Sequence, residues 1–214
     1  MGVNMAGNSI VNDEQAILAS QNEIIRRYYH ILEETKKGQS NEEEIEKLEI
    51  IMSQANVNIS NRACVQYALD KAESTKAPAL AIQLNDGQIV TGKTTSLLGA
   101  ASAALLNALK VLGNINDDLP LISPNIIGPI QHLKTDNLGN NNPRLHTDEV
   151  LIALAISATT NPISHLAMLQ LSKLENCEAH SAVILSEVDK NVFRKLSVNL
   201  TCEPEYQSKK LYHK

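Results

Sequence analysis

The chain has 214 residues, 43% hydrophobic but only 3% aromatic, with a formal net charge of −5 and a pI near 5.7. That length suits one domain, or one domain with an appended helical region, and it can bury a sizeable core. The acidic balance offers no electrostatic footprint for nucleic acid, and with no Trp and a single Phe193 there are no stacking platforms for single strands. Apolar runs fall far short of a membrane span, and Met1-Gly-Val-Asn-Met-Ala-Gly7 has neither the basic region nor the apolar stretch of a signal peptide. Cys64, Cys177 and Cys202 are odd in number and widely spaced, which predicts reduced thiols in a cytoplasm.

Residues 13 to 76 are predicted as a helical region of three helices. Asn12 or Asp13 can cap the first, whose apolar positions Ile17, Ile24, Tyr28 and Ile31 recur near helical spacing before Gly38. Ser40 and Glu43 have the spacing of a capping box for the second, and Glu42-Glu43-Glu44 suits its positive dipole end. Ser60 can cap the third, which runs to Thr75.

From residue 77 to 214 the pattern becomes α/β. Leu80-Ala-Ile-Gln-Leu84 is an apolar run, and Leu97 to Leu112 reads as a helix ended by Gly113. Leu119 to Ile122 reads as a short strand. Ser123 or Pro124 starts a helix towards Leu133, followed by an Asn-rich polar loop from Asp136 to Pro143. Thr147 is expected to cap a helix with Asp148 and Glu149 in its first turn, and Asn161-Pro162 starts another. A strand–helix–strand unit closes the chain: Ala179 to Leu185, Val188 to Leu196, then Val198 to Cys202. The expected fold is therefore α/β, with a mixed sheet containing a β-hairpin and a strand–helix–strand unit, preceded by the helical region.

Gly87-Gln-Ile-Val-Thr-Gly92-Lys93-Thr94 satisfies the phosphate-loop pattern G-x-x-x-x-G-K-[ST] letter for letter. Context favours a different structure. Asn85-Asp86-Gly87 is a hairpin signal. With Asp86 and Gly87 at the turn, Leu84 pairs with Ile89, and Leu80, Ile82, Leu84 and Ile89 share one face. The two glycines then sit at opposite ends of a strand, roughly 17 Å apart at ~3.3 Å per residue, and cannot curl round one anion. The end of the motif keeps its chemistry. Lys93, Thr94 and Thr95 join a strand to a helix start, where free N–H groups and the dipole can hold a phosphate or carboxylate; the plainer role is that Thr94 or Thr95 caps that helix.

Two further places bear on chemistry. Arg144 and His146 precede a helix start, a geometry suited to anions, and His146, Asp148 or Glu149 could act as acid or base; the plainer role is a capped surface helix with ordinary acidic first-turn residues. His180 lies on the predicted strand 179–185, where it could line a cleft at the strand end as acid or base, or be a satisfied, half-buried histidine. Cys177-x-x-His180 with Cys202 and His213 lacks the paired spacing of a zinc site, and no metal ligands are assigned; the sequence leaves the cofactor open.

Several runs taken together carry a resemblance: Met1 to Gly7, Thr91-Gly-Lys-Thr-Thr-Ser-Leu-Leu-Gly-Ala100, Asn142-Pro-Arg-Leu-His-Thr-Asp-Glu-Val-Leu-Ile152, His180-Ser-Ala-Val-Ile-Leu-Ser186, Phe193-Arg-Lys-Leu196 and Thr201-Cys-Glu-Pro204. They resemble the C-terminal part of a family of uncharacterised bacterial proteins, a domain-of-unknown-function family. Its members are longer, and their N-terminal part carries a glycine-rich segment that has no counterpart here. Some relatives are labelled ATP-dependent zinc peptidases, a label that no motif in this chain supports. The resemblance implies a truncated protein or a split-gene product and brings no catalytic residues.

The expected function is the C-terminal part of a cytoplasmic enzyme that binds a phosphorylated or nucleotide-like small molecule. Lys93, Thr94, Thr95 and Arg144 would hold its anion, with His146 or His180 as acid or base. The alternative is a non-catalytic packing or oligomerisation module that completes a site elsewhere. Apolar stripes on the N-terminal helices (Ile17, Ile24 and Tyr28; Ile45, Leu48 and Met52) call for cover from a second copy or from a missing N-terminal domain.

Overall fold

The computed structural model describes residues 13–40 and 42–207. The run Met1 to Gly7, the cap candidate Asn12 and the remote His213 lie outside them. The described chain forms two units, divided between Ala63 and Cys64.

The first unit is built on α1 (Asp13–Lys36) and α2 (Glu42–Gln54), which pack on each other. α1 ends in the paired backbone bonds of a helix stop, from Gly38 N–H to the Thr35 carbonyl and from Gln39 N–H to Glu34. Ile25 and Tyr29 of α1 and Leu48 and Met52 of α2 are buried. The Ser40 hydroxyl donates to Glu44 at 3.0 Å rather than pairing with Glu43.

The second unit opens with α3 (Ala63–Thr75), which starts three residues after the expected Ser60 because Asn58 caps a 3-10 turn over Ile59–Asn61 first. Then come β1 (Ala79–Gln83), β2 (Ile89–Lys93), α4 (Ala100–Leu112), α5 (Pro124–His132), α6 (Thr147–Ala158), α7 (Pro162–Met168), β3 (Glu178–Ser181), α8 (Glu187–Lys195) and β4 (Asn199–Cys202). The four strands make one mixed sheet in the order β2-β1-β3-β4. β1 is antiparallel to both neighbours, and β3 is parallel to β4. Three strands, β2, β3 and β4, therefore run in one direction, with their carboxyl ends at Lys93, Ser181 and Cys202.

The hairpin forms in place of a phosphate loop, but one residue out of the expected register. Ile82 pairs with Val90 and Gln83 with Ile89, and Leu84 N–H bonds the Gln88 carbonyl at 2.8 Å. The loop has three residues, Asn85-Asp86-Gly87, with Gly87 at φ +88°, so the turn carries the glycine bulge of a three-residue hairpin rather than a two-residue turn. A one-residue shift exchanges faces. Val90 joins Leu80 and Ile82 in the main core under α4, while Ile89 joins Ala81, Cys64 and Ala68 on the α3 side. Gly92 faces α4 so closely that a Cβ there would land on the backbone N and Cα of Ala104.

Two other expectations fail. Leu119–Ile122 is not a strand. Pro120 removes a ladder donor, and Leu121 and Ile122 are instead buried from an irregular segment whose Leu121 carbonyl accepts from the Ser164 hydroxyl at 2.6 Å. The strand expected over 179–185 stops at Ser181, where Ser181 Oγ donates to the Val183 carbonyl and turns the chain towards α8.

Candidate functional site

In a sheet followed by helices, a crevice opens outside the carboxyl ends of the strands. Here a cleft of about 290 Å³ lies there. Its walls come from the segment after β2 (Thr94, Gly99 to Ala101), the segment before α6 (Asn140 to Asn142, Arg144 to His146) and the segment after β3 (Val183 to Ser186, with Asp189); Pro78 and Gln207 complete it.

Leu145 joins the first two walls. Its N–H donates to the Leu97 carbonyl at 3.0 Å, and its own carbonyl accepts from Gly99 N–H at 3.3 Å and from the Ser102 hydroxyl at 2.9 Å. The N-termini of α4 and α6 are thereby set side by side. α4 begins at Ala100, not Leu97, and its N-cap is Gly99, which has no side chain to satisfy the first-turn N–H groups. Thr95 does not cap it: the Thr95 hydroxyl accepts from Leu97 and Leu98 N–H, closing a tight turn ahead of the helix.

The third wall brings Asp189, on α8, to α6. Asp189 is 7% exposed, and its carboxylate accepts from four donors: His146 Nδ1 at 3.0 Å, Thr147 N–H at 2.9 Å, Thr147 Oγ1 at 3.0 Å and Ser186 Oγ at 2.7 Å. Thr147 is thus the first residue of α6 rather than its cap, since its hydroxyl serves Asp189; His146 takes the N-cap position. Burial alone would push Asp189 up, but the hydrogen bonds from His146 and Thr147 outweigh it and hold the carboxyl below its ordinary range. The same bond raises His146, against the opposing effects of burial and of nearby Lys134. With Nδ1 committed to Asp189, Nε2 has no protein partner among the described residues, and His146 lines the cleft.

A buried lysine shapes the approach to this pair. α5 continues into a π-helical turn over Leu133–Asn137, which carries Lys134 inward. Its Nζ donates to the Arg144 carbonyl at 2.6 Å and to Glu149 Oε2 at 2.7 Å, and the same Glu149 oxygen accepts from His146 N–H at 2.8 Å. Arg144 is aimed by its Nε, which donates to the Thr95 carbonyl at 2.7 Å; the terminal nitrogens of the guanidinium have no partner among the described residues.

Of the sequence-derived candidates, Thr94, Arg144 and His146 meet at this cleft. Lys93 is exposed at the end of β2, on the sheet face away from α4, and Thr95 is exposed beside the cleft; neither lines it. His180 is fully buried in β3, with Nδ1 on Thr201 Oγ1 at 2.8 Å and Nε2 on Glu203 Oε1 at 3.1 Å, and it does not line the cleft either. Lys93, Arg144 and His180 therefore do not converge. Asp189, Ser186 and Lys134 have no sequence motif for chemistry, and Glu149, expected as an acid or base, instead accepts from Lys134 Nζ and His146 N–H. Ser186-x-x-Asp189 does have the spacing of a helix-start box, which could have marked α8 as beginning at a strand's carboxyl end. No group of three or more His, Cys, Asp or Glu among the described residues could hold a metal ion, and no helix among them is long and apolar enough to cross a membrane.

Comparison with known proteins fits both units. Residues 60–212 match the model of the domain of unknown function DUF1846, C-terminal, and residues 1–56 match DUF1846, N-terminal. A UPF0371 protein of Streptococcus pyogenes serotype M5 is 52% identical over 214 residues, covering 100% of this chain and 43% of that protein. A UPF0371 protein of Streptococcus uberis is 50% identical over the same 214 residues, again 43% of its length. The chain thus spans less than half the length of the curated relatives it matches, and nothing in these matches supports the peptidase label. With both family models matched in order and half of its residues identical to such relatives, the chain belongs to the uncharacterised DUF1846 family.

Proposed function

We propose that the cleft at the carboxyl ends of β2, β3 and β4 binds a phosphorylated small molecule in a cytoplasmic enzyme, and that His146 serves there as acid or base. One observation carries the proposal: the His146–Asp189 pair stands in a cleft that also presents the Arg144 guanidinium and the uncapped start of α4. His146 is raised, so its imidazole keeps its proton to higher pH than an ordinary one, which suits an anion and lets it return a proton to the ligand. Helix N–H groups and a forked guanidinium are the two protein groups best suited to phosphate oxygens. Thr94 adds a hydroxyl. The three buried cysteines suit a reducing compartment.

A second reading has support of its own. The chain covers only 43% of its relatives' length, so the cleft could complete a site to which the rest of such a protein contributes. Titration of inorganic phosphate into the 214-residue chain, followed by calorimetry and by the His146 imidazole NMR signals, separates the two. Binding should shift those signals, and Arg144→Ala should weaken it by ~1–3 kcal/mol, the range for hydrogen bonds to a charged group. Unshifted imidazole signals with equal heats in wild type and variant would sink the anion site.

A further inference from the structure

Resting on the anion site just proposed, we infer that its ligand class is a phosphorylated polyol, such as a five- or six-carbon sugar phosphate, rather than a nucleotide. The walls carry this beyond the phosphate end. A nucleotide site needs a surface for the base, and no phenyl, phenol or indole ring is present among the described lining residues. A magnesium-bound triphosphate is usually steadied by one or two carboxylates beside its own phosphates. The one carboxylate among the described lining residues, Asp189, already accepts four hydrogen bonds. At about 290 Å³ the cleft is at the small end of ligand sites, which run from roughly 300 to 1,000 Å³.

The groups that are present suit hydroxyls. Asn140, Asn141 and Gln207 line the cleft, and their side-chain amides have no partner among the described residues. An amide offers donors beside an acceptor, and a hydroxyl both donates and accepts, so neighbouring hydroxyls of a polyol can pair with each amide in turn. Val183 and Leu185 line the same cleft and can take the C–H side of the carbon chain. Phosphate at Arg144 and the α4 start would leave the hydroxyls towards the Asn140–Asn141 rim.

The test is a binding series on the 214-residue chain with inorganic phosphate, ribose 5-phosphate, glucose 6-phosphate, AMP, and ATP with magnesium, read by calorimetry and by the His146 signals. The sugar phosphates should bind about tenfold or more tighter than inorganic phosphate, as one or two extra hydrogen bonds allow. Asn141→Ala and Gln207→Ala should remove most of that gain and leave inorganic phosphate binding unchanged. Sugar phosphates no tighter than phosphate, or AMP or magnesium-ATP tighter than either sugar phosphate, would overturn the ligand class while leaving the anion site standing. Silence from every phosphorylated compound would overturn both.

Discussion

Residues 87–94 and the cleft around His146 stand in contrast. The first matches a nucleotide-binding signature at every required position, yet its glycines answer to structure: Gly87 makes a left-handed turn, and Gly92 lets α4 lie against the strand. The second matches no signature, yet it gathers a guanidinium, an imidazole held by a buried carboxylate, and a bare helix start. A motif is a statement about neighbours in sequence. The cleft ties the start of α4 to Leu145, and His146 to Asp189, each across more than 40 positions, so no single local pattern spans it.

Breaking the contrast begins at Gly92. Gly92→Ala would drive a methyl into the α4 backbone, and a loss of about 3 kcal/mol, at the upper end for overpacking, is expected in urea unfolding. Gly87→Ala should cost only ~1–2 kcal/mol, the left-handed penalty, because nothing lies within 4 Å of its added Cβ. Equal and small effects would mean that the strand–helix approach is looser than described.

Asp189→Asn comes next. It removes the charge that four donors surround, and a loss of about 2–3 kcal/mol is expected, together with a fall in the His146 titration midpoint followed by NMR. An unmoved His146 midpoint would show that Asp189 merely fills space.

The pair also sets a pH window. His146 is raised in the folded chain, so its contribution to stability is complete below the ordinary imidazole value, about 6.5, and is lost as pH rises through the raised one. Asp189 is lowered, so its contribution is complete above the ordinary carboxylate value, about 3.9, and is lost as pH falls through the depressed one. The stability difference between wild type and Asp189→Asn should therefore be largest between about pH 4 and 6.5 and shrink on either side. A difference that is flat with pH would deny the ion pair.

The smallest effect sharpens the contrast most. Lys93→Ala, at the very lysine the signature singles out, should change stability by less than about 0.5 kcal/mol and leave phosphate affinity as it was. A clear drop in affinity by calorimetry would return the anion site to the strand end.

Much of the fold was legible because its signals are local. Ser123 and Asn161 cap the helices they were expected to open, and α8 and β4 lie within a residue of their expected bounds. The hairpin's existence was legible, but its register was not: Asn85-Asp86-Gly87 serves two loop lengths, and packing under α4 selects between them. The start of α4 was misjudged because Thr94 and Thr95 look like caps, while the tie between Gly99 and Leu145 that fixes the start is a tertiary contact. Arg144 and His146 could be found in the sequence because basic residues ahead of a helix suggest an anion. Asp189 could not, since its value lies wholly in meeting α6 from 42 residues away.

The peptide of Leu145 has a consequence for how the molecule folds. Its carbonyl takes two donors from the start of α4 and its amide gives to Leu97, so it cannot be satisfied until a loop of more than 40 residues has closed. Distant closures cost entropy before contacts repay it and come late in folding. A ligand that clasps the cleft built by that closure would draw the whole unit's equilibrium towards the native state. Slowing of Leu145 amide exchange on ligand binding would be the signature of that clasp.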